Sequence, residues 1–410
     1  RVFGQELLWQ VPDERDDAMI PVTRPYFPDI RKVEAYLEGI YSRQRLTNGG
    51  PLVEELATRL EAYLGVRNLV LVANGTLALQ IAYRVLGISG RLEGQADAVT
   101  TPFSFIATAS SLKWEGVQPR FADIQRGGWC LDPAAIATTI SDSTRAIVPV
   151  HVFGNACAVD EIDDIASQYG LKVVYDGAHA FGVRYAGKSL LAHGDATTLS
   201  FHATKVFHSV EGGAIVFRDA ELARRARRMI NFGIDEQGKL SDLGINAKMN
   251  EVQAAMGLAV LDELERNLQG RAEAWAFYHE RLKDAVTLQY RHPECSNNFG
   301  YFPVVLESEA KLLAVLEHLT EQGVGARRYF HPALSRVSCL REATAHVHGS
   351  ETPNADSLAE RVLCLPLYLG VPAQQVANEF LAALRTPVRQ RAWPTPTPMT
   401  ENLWPGSMQP

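Results

Sequence analysis

Lys205 stands in the stretch His202-Ala203-Thr204-Lys205-Val206-Phe207-His208-Ser209-Val210-Glu211-Gly212-Gly213-Ala214, between two short apolar runs. An ammonium flanked by Val206 and Phe207 is poorly hydrated, which lowers its pKa and frees the amine to attack a carbonyl. Upstream, Asp176-Gly177-Ala178-His179 sets a carboxylate and an imidazole at the end of another apolar run. A carboxylate buried there keeps a heterocyclic nitrogen protonated, since losing that proton would strand its own charge. The plainer alternative is an Asp that caps the next turn. Further back, Asn74-Gly75-Thr76 lies between an apolar run and a helical stretch. Free helix-start amides, a glycine that permits close approach and a hydroxyl can hold a phosphate there, unless the turn is an ordinary cap. An anion seat, an acid and an amine at neighbouring strand ends are together what a pyridoxal phosphate ring requires.

A sheet has to hold these residues in place. Residues 69–73, 98–101, 120–122, 146–152, 172–175, 197–201 and 214–217 read as buried strands, with helical stretches at 77–86, 106–114 and 159–169. Such alternation predicts an α/β fold with a mostly parallel mixed sheet, flanking helices, and ligands beyond the carboxyl ends of the strands. Residues 250–282 read as one long bridging helix, with Ala254, Ala255, Leu258, Leu261 and Leu264 on its apolar face. After it come a strand over 299–306, a helix over 310–322 ended by Gly323, and a last helix over 373–384, a smaller α+β C-terminal domain. The expected division is a large domain at 20–265, a small one at 266–385 and a tail at 386–410. That tail carries Pro387, Pro394, Pro396, Pro398, Pro405 and Pro410, too many for a helix or central strand.

Composition narrows the function classes. The chain has 410 residues, 46% hydrophobic and 21% charged, so it can bury a large core and is not a disordered chain. A net charge of -7 gives no electrostatic reason to bind nucleic acid. Cys130, Cys157, Cys295, Cys339 and Cys364 are irregularly spaced, which indicates neither a disulfide framework nor a thiolate zinc site and fits a reducing cytoplasm. No apolar run reaches the roughly 18 residues of a membrane span, and residues 1–17 are too polar for a signal segment. Residues 182–189 formally match the phosphate-cradling G-x-x-x-x-G-K-[ST] pattern, but no strand leads directly into them, and Ala186-Gly187-Lys188 reads as a hairpin tip. His151, His179, His193, His202 and His208 lack metal spacing, so no metal is expected. The absence of a G-x-S-x-G elbow argues against an α/β-hydrolase.

Over residues 20–385 the chain resembles the DegT/DnrJ/EryC1/StrS family of nucleotide-sugar aminotransferases. The resemblance rests on Leu46-Thr47-Asn48-Gly49-Gly50-Pro51, residues 73–79, Thr101-Pro102-Phe103-Ser104-Phe105-Ile106-Ala107-Thr108, residues 176–182, residues 200–213 and Gly244-Ile245-Asn246-Ala247-Lys248-Met249-Asn250-Glu251. It implies a fold-type I pyridoxal phosphate-dependent aminotransferase in which Lys205 carries the cofactor as a Schiff base and later moves a proton. By the same matching, Asp176 pairs with the ring nitrogen, Phe105 stacks on the ring and His179 lies near its phenolic oxygen. Gly75, Thr76 and Ser200 hold the phosphate. Asn246 reaches the phosphate of the neighbouring subunit, so the resemblance implies a homodimer with shared active sites.

Within the family, residues 201–213 and 149–155 look most like enzymes acting at C4 of dTDP-4-keto-6-deoxy-D-glucose with glutamate as amino donor. The product would be dTDP-4-amino-4,6-dideoxy-D-glucose; the galacto epimer, or C3 transamination of a dTDP-3-keto-6-deoxysugar, is the alternative. Asn48, Arg327, Tyr329 and His331 lie in segments that approach the sugar nucleotide in similar proteins, although Arg327-Arg328 also reads as a solvated pair. Arg224, Arg225, Arg227 and Arg228 read as an exposed helical face. Two rivals carry less weight. A sugar 3-dehydratase of this fold has histidine in place of Lys205, and a non-catalytic aminotransferase-like sensor would need an added DNA-binding module that the sequence does not offer.

Overall fold

The computed structural model describes residues 19–89, 96–340 and 351–386. The polar opening and the proline-rich tail, except Thr386, lie outside these residues. Helices α1 (Ile30–Arg43) and α2 (Pro51–Leu64) lead into the core. Strands and helices then alternate: β1 (Leu69–Val72), α3 (Gly75–Val85), β2 (Ala96–Thr100), α4 (Ile106–Trp114), β3 (Val117–Phe121), α5 (Pro133–Thr139), β4 (Thr144–Val148), α6 (Val159–Tyr169) and β5 (Lys172–Asp176). A hairpin of β6 (Arg184–Tyr185) and β7 (Lys188–Ser189) precedes β8 (Ala196–Ser200), β9 (Gly213–Phe217) and α7 (Ala220–Met229).

The large sheet has the order β1-β9-β8-β5-β4-β2-β3. Only β9 runs against its neighbours, antiparallel to both β1 and β8, so the expected mostly parallel mixed sheet is present. Strands such as β1 and β9 are buried along their whole length because both faces are covered, whereas β3 alternates buried and half-buried residues. Val70, Val72, Ile215 and Phe217 pack with Ala78, Ala82 and Ala226 of α3 and α7. Leu69, Leu71, Ala214 and Val216 take the other face with Leu56, Leu60 and Leu258. The period of two along each strand sends alternate residues to opposite layers.

Two expectations need correction or completion. The single helix expected over 250–282 is α8 (Glu251–Leu261) followed by α9 (Leu264–Leu282). The break falls at Asp262 and Glu263, whose carboxylates are drawn to other elements: Asp262 accepts from Arg59 Nη2 at 2.6 Å and Tyr36 Oη at 3.1 Å, and Glu263 from the Asp29 amide at 3.2 Å. Helices α1 and α2 went unread, although Leu52, Leu56, Leu60 and Leu64 recur every four residues as a buried stripe closed by Gly65 at φ 64°.

The C-terminal part pairs β10 (Thr287–Leu288), β11 (Pro303–Val305) and β12 (Val362–Cys364) as an antiparallel sheet. Leaving aside α11 (Pro353–Arg361), the helices α10 (Glu309–Glu321), α12 (Ala373–Arg385) and the end of α9 cover it around Tyr278, Leu312, Val315 and Phe380. Residues 20–22 join this part by backbone pairing: Ile20 exchanges hydrogen bonds with Gly323 and Gly325 at 2.8 Å each. The 182–189 segment is a hairpin whose tip, Ala186 and Gly187, has φ of 47° and 76°. Both tip residues thus adopt the positive φ of a two-residue hairpin turn, and only a three-residue 3-10 turn, Leu190–Ala192, follows where a phosphate loop would open an α-helix.

Candidate active site

The carboxyl ends of β1, β5 and β8 meet at one cleft. At the end of β1, Asn74 caps α3 by accepting the Leu77 amide at 2.9 Å. Among the described residues the amides of Gly75 and Thr76 have no protein acceptor, which is the polarity an anion seeks at a helix start. A Cβ on Gly75 would come within 2.8 Å of Ser200 Cβ, so the glycine lets the β8 hydroxyl sit beside the helix start. Gly75, Thr76 and Ser200 are brought together.

Asp176 ends β5 and is buried. Its Oδ2 accepts from Thr108 Oγ1 at 2.7 Å and its Oδ1 from the Ala178 amide at 3.0 Å, while Thr108 also meets Ser104 Oγ at 2.8 Å. These donors fix the carboxylate plane, and the Ala178 bond makes Asp176 a cap of the following turn as well. Thr108, on α4, was quoted in the sequence motif without a role. His179 lies buried three residues on, with Nδ1 accepting the Phe153 amide at 3.2 Å. Its ring stacks on Phe153 at 5.8 Å and 5°. Burial, aided by the nearby Lys205 charge, pushes its pKa well below the usual histidine range, so it is neutral.

Lys205 lies at the bottom of the cleft, surrounded by protein yet still touched by solvent. Val206 and Phe207 are buried as the flanking sequence implied, and Phe207 stacks on Phe181 at 4.7 Å. The loop is pinned from α9, where Asn267 Nδ2 donates to Val206 O at 2.9 Å. Desolvation lowers the Lys205 pKa to about 8; Asp176 opposes the shift and Arg327 adds to it. The amine donates to Tyr301 Oη at 3.2 Å. Tyr301 had no signal in the sequence, being one aromatic residue among many, and Phe153 stood in the 149–155 segment without an assigned role.

The other expected residues divide between the cleft and its surroundings. Phe105, at the start of α4, is 53% exposed. Tyr329 reaches the aromatic group, edge-on to Tyr301 at 5.6 Å, and Arg327 lies over the Tyr329 ring at 5.1 Å. His331 is drawn elsewhere, its Nε2 3.5 Å from Glu309 on α10. Asn48, at φ 63°, lines a separate cleft of about 820 Å³ with Arg224, Arg227, Arg228, Asn231 and Lys248. Asn246 is exposed and bridges to Asn231. Glu251 ties these two loops together: its amide donates to Leu46 O at 2.9 Å, and its carboxylate accepts the Leu52 and Val53 amides at 3.1 and 2.9 Å. In the arginine cluster, Arg225 and Arg228 clamp Asp242, and Arg224 pairs with Glu221. No group of three or more His, Cys, Asp or Glu among the described residues is arranged to hold a metal.

The donor set fits pyridoxal phosphate. The free amides at α3 and Ser200 suit its phosphate, the anchored Asp176 suits a protonated ring nitrogen, and the Lys205 amine suits its aldehyde. Comparison with known proteins agrees with this chemistry. Residues 29–380 match the profile of the DegT/DnrJ/EryC1/StrS aminotransferase family. The chain is similar to a dTDP-4-amino-4,6-dideoxy-D-glucose transaminase of Shigella dysenteriae, 40% identical over 376 residues that cover 90% of this chain and 98% of that protein. An Escherichia coli protein of the same name is 36% identical over 358 residues, covering 86% and 95%. A crystal structure of DesI in the presence of its TDP-sugar product aligns with a TM-score of 0.82 at 34% identity, covering 90% of this chain and 94% of that one. With most of its length inside the match and a lysine, an acid and an anion seat meeting at the strand ends, the chain belongs to the DegT/DnrJ/EryC1/StrS aminotransferase family.

Proposed function

We propose that this protein uses pyridoxal phosphate to move an amino group from glutamate to C4 of dTDP-4-keto-6-deoxy-D-glucose, giving dTDP-4-amino-4,6-dideoxy-D-glucose. The observation that carries the reading is a desolvated Lys205 amine within the field of an anchored Asp176 carboxylate, in a chain whose open α3 start packs against Ser200 at the end of β8. The C4 position and the gluco product are supported by the names of the Shigella dysenteriae and Escherichia coli relatives.

When bound, the cofactor supplies an electron-withdrawing ring on which the amine of one substrate is stored for the next. Asp176, held in place because Thr108 Oγ1 and the Ala178 amide donate to its two oxygens, would pair with the ring nitrogen. Lys205 would hold the cofactor's aldehyde, and its Nζ would move a proton between two carbons. A pKa of about 8 suits that exchange near neutral pH. Neutral His179 offers a polar edge without adding positive charge beside the amine, and Phe105, exposed at the start of α4, would cover the ring. Arg327 and Tyr329 stand on the opposite wall, where an anionic substrate would enter.

The same reading includes a homodimer. Phe232, Leu240, Leu243 and Ile245 are exposed around Asn246, with Leu243 at 78%. Covering that apolar surface with a second copy would carry Asn246 and Asn48 toward the neighbour's cleft. All five cysteines are free thiols, which fits a reducing compartment such as the cytoplasm, and no described helix is long and apolar enough to cross a membrane.

The test is direct. Purified protein is incubated with pyridoxal phosphate, glutamate and, separately, dTDP-4-keto and dTDP-3-keto 6-deoxysugars, and products are identified by mass and NMR. The 4-amino gluco sugar is expected from the 4-ketone; an amino sugar from neither ketone would sink the assignment.

A further inference from the structure

Tyr301 lies just ahead of β11, on the C-terminal side of the cleft, and yet its hydroxyl is the hydrogen-bond partner of an amine on the large-domain side. Its ring is boxed in by His179 at 4.6 Å, Phe153 at 5.2 Å and Tyr329 at 5.6 Å, which leaves the hydroxyl little freedom to turn away. Burial pushes this phenol far above its ordinary range. Tyr301 therefore stays neutral at every pH at which Lys205 exchanges its proton.

The groups that face Lys205 are few. Asp176, from β5, is engaged by Thr108 and Ala178. Arg327 opposes a positive charge on the amine, and His179 and His202 are held toward the neutral form by burial. A phenol oxygen can accept an N–H from the amine in either of its protonation states. Lysine otherwise swings on a flexible stem, and a base that swings loses the advantage of fixed geometry.

Resting on the aminotransferase reading above, we propose that Tyr301 is a positioning residue whose hydroxyl holds the released Lys205 amine at one point while it carries a proton between two carbons. The proton moves from carbon to amine and back to carbon. Tyr301 neither gains nor loses one, and no other reactant is required.

Tyr301→Phe keeps the ring and deletes the hydroxyl. In the full chain freed of cofactor, acetylation of Lys205 by pulses of acetic anhydride is followed against pH by peptide mass spectrometry. The midpoint, near 8 in the parent, should fall by roughly half a unit to one unit, because the ammonium form loses a stronger, charge-assisted hydrogen bond than the neutral amine does. In the holoenzyme, kcat should fall about ten- to a hundredfold, with KM for both substrates within about twofold. Melting curves and cofactor retention matching the parent separate loss of the hydroxyl from loss of the fold. An unchanged acetylation midpoint overturns the proposal even if kcat falls, and so does an unchanged kcat with a shifted midpoint. Failure of the parent to aminate any nucleotide-linked ketone would count against the proposed function alone, since the acetylation arm uses neither substrate nor cofactor.

Discussion

Asp176, Ser200 and Lys205 hang from or just beyond the ends of β5 and β8, neighbours in the large sheet. Arg327 and Tyr329 reach the same cleft from an irregular segment that bridges to β12. The first wall is set by hydrogen bonds: both oxygens of Asp176 are donated to, and the Lys205 loop is pinned by Asn267. The second is set by ring against ring, with a guanidinium laid over Tyr329. Hydrogen bonds fix direction as well as distance, while aromatic contacts tolerate small shifts. The difference separates a wall suited to chemistry, which must not move, from a wall suited to recognition, which can adjust to a bulky substrate.

Substitutions can break or sharpen this contrast, and the sheet wall should respond first. Lys205→Ala should lower amine transfer by about 10⁴-fold or more and abolish borohydride fixation of the cofactor to the protein, read by mass spectrometry. Asp176→Asn keeps the shape but removes the charge opposite the ring nitrogen, and kcat should drop about 10²- to 10³-fold with a changed cofactor absorption spectrum. Gly75→Ala pushes a methyl against Ser200 Cβ, 2.8 Å away. Cofactor dissociation, followed by absorbance during dialysis, should then tighten or loosen the contrast by one number: a Kd about tenfold weaker. On the opposite wall, Arg327→Gln should raise KM about fivefold with kcat nearly intact; a large loss of kcat there would erase the distinction drawn above.

The smallest effect concerns stability. The Lys205 pKa is about 8 in the folded chain, against about 10.4 for an unperturbed lysine. Between those values the unfolded chain binds the extra proton, so folded stability rises with pH across that window and is lowest below it. Lys205→Met removes this slope and should raise the melting temperature of the cofactor-free protein by about 2 °C at neutral pH, measured by calorimetry.

What could be read ahead of the structure follows the same division. Asp176 and Lys205 were legible because each comes at or just after an apolar run, where a charged residue is a poor choice for packing. Gly75 was legible because it begins a helix right after a strand. Tyr301 was not, since nothing in its neighbours marks it and only the returning chain brings it to the amine; Phe153 lay in the 149–155 segment, which gave it no role of its own. The break at Asp262 and Glu263 was hidden for a related reason: the groups that draw those carboxylates, Arg59, Tyr36 and the Asp29 amide, lie some 200 residues earlier. His331 was expected near the sugar nucleotide by resemblance alone, and the structure sets its Nε2 3.5 Å from Glu309 on α10. The stripe of Leu52, Leu56, Leu60 and Leu64 was fully readable and simply went unread.

The pairing of Ile20 with Gly323 and Gly325 also bears on how the molecule is made. On the ribosome, residue 20 is synthesised long before its partners, and at about 5–20 residues per second the intervening 300 or so residues take roughly 15–60 s. Throughout that interval a short extended segment waits with its peptide groups unmatched. Final closure of the C-terminal part is thereby reserved for a late stage of translation.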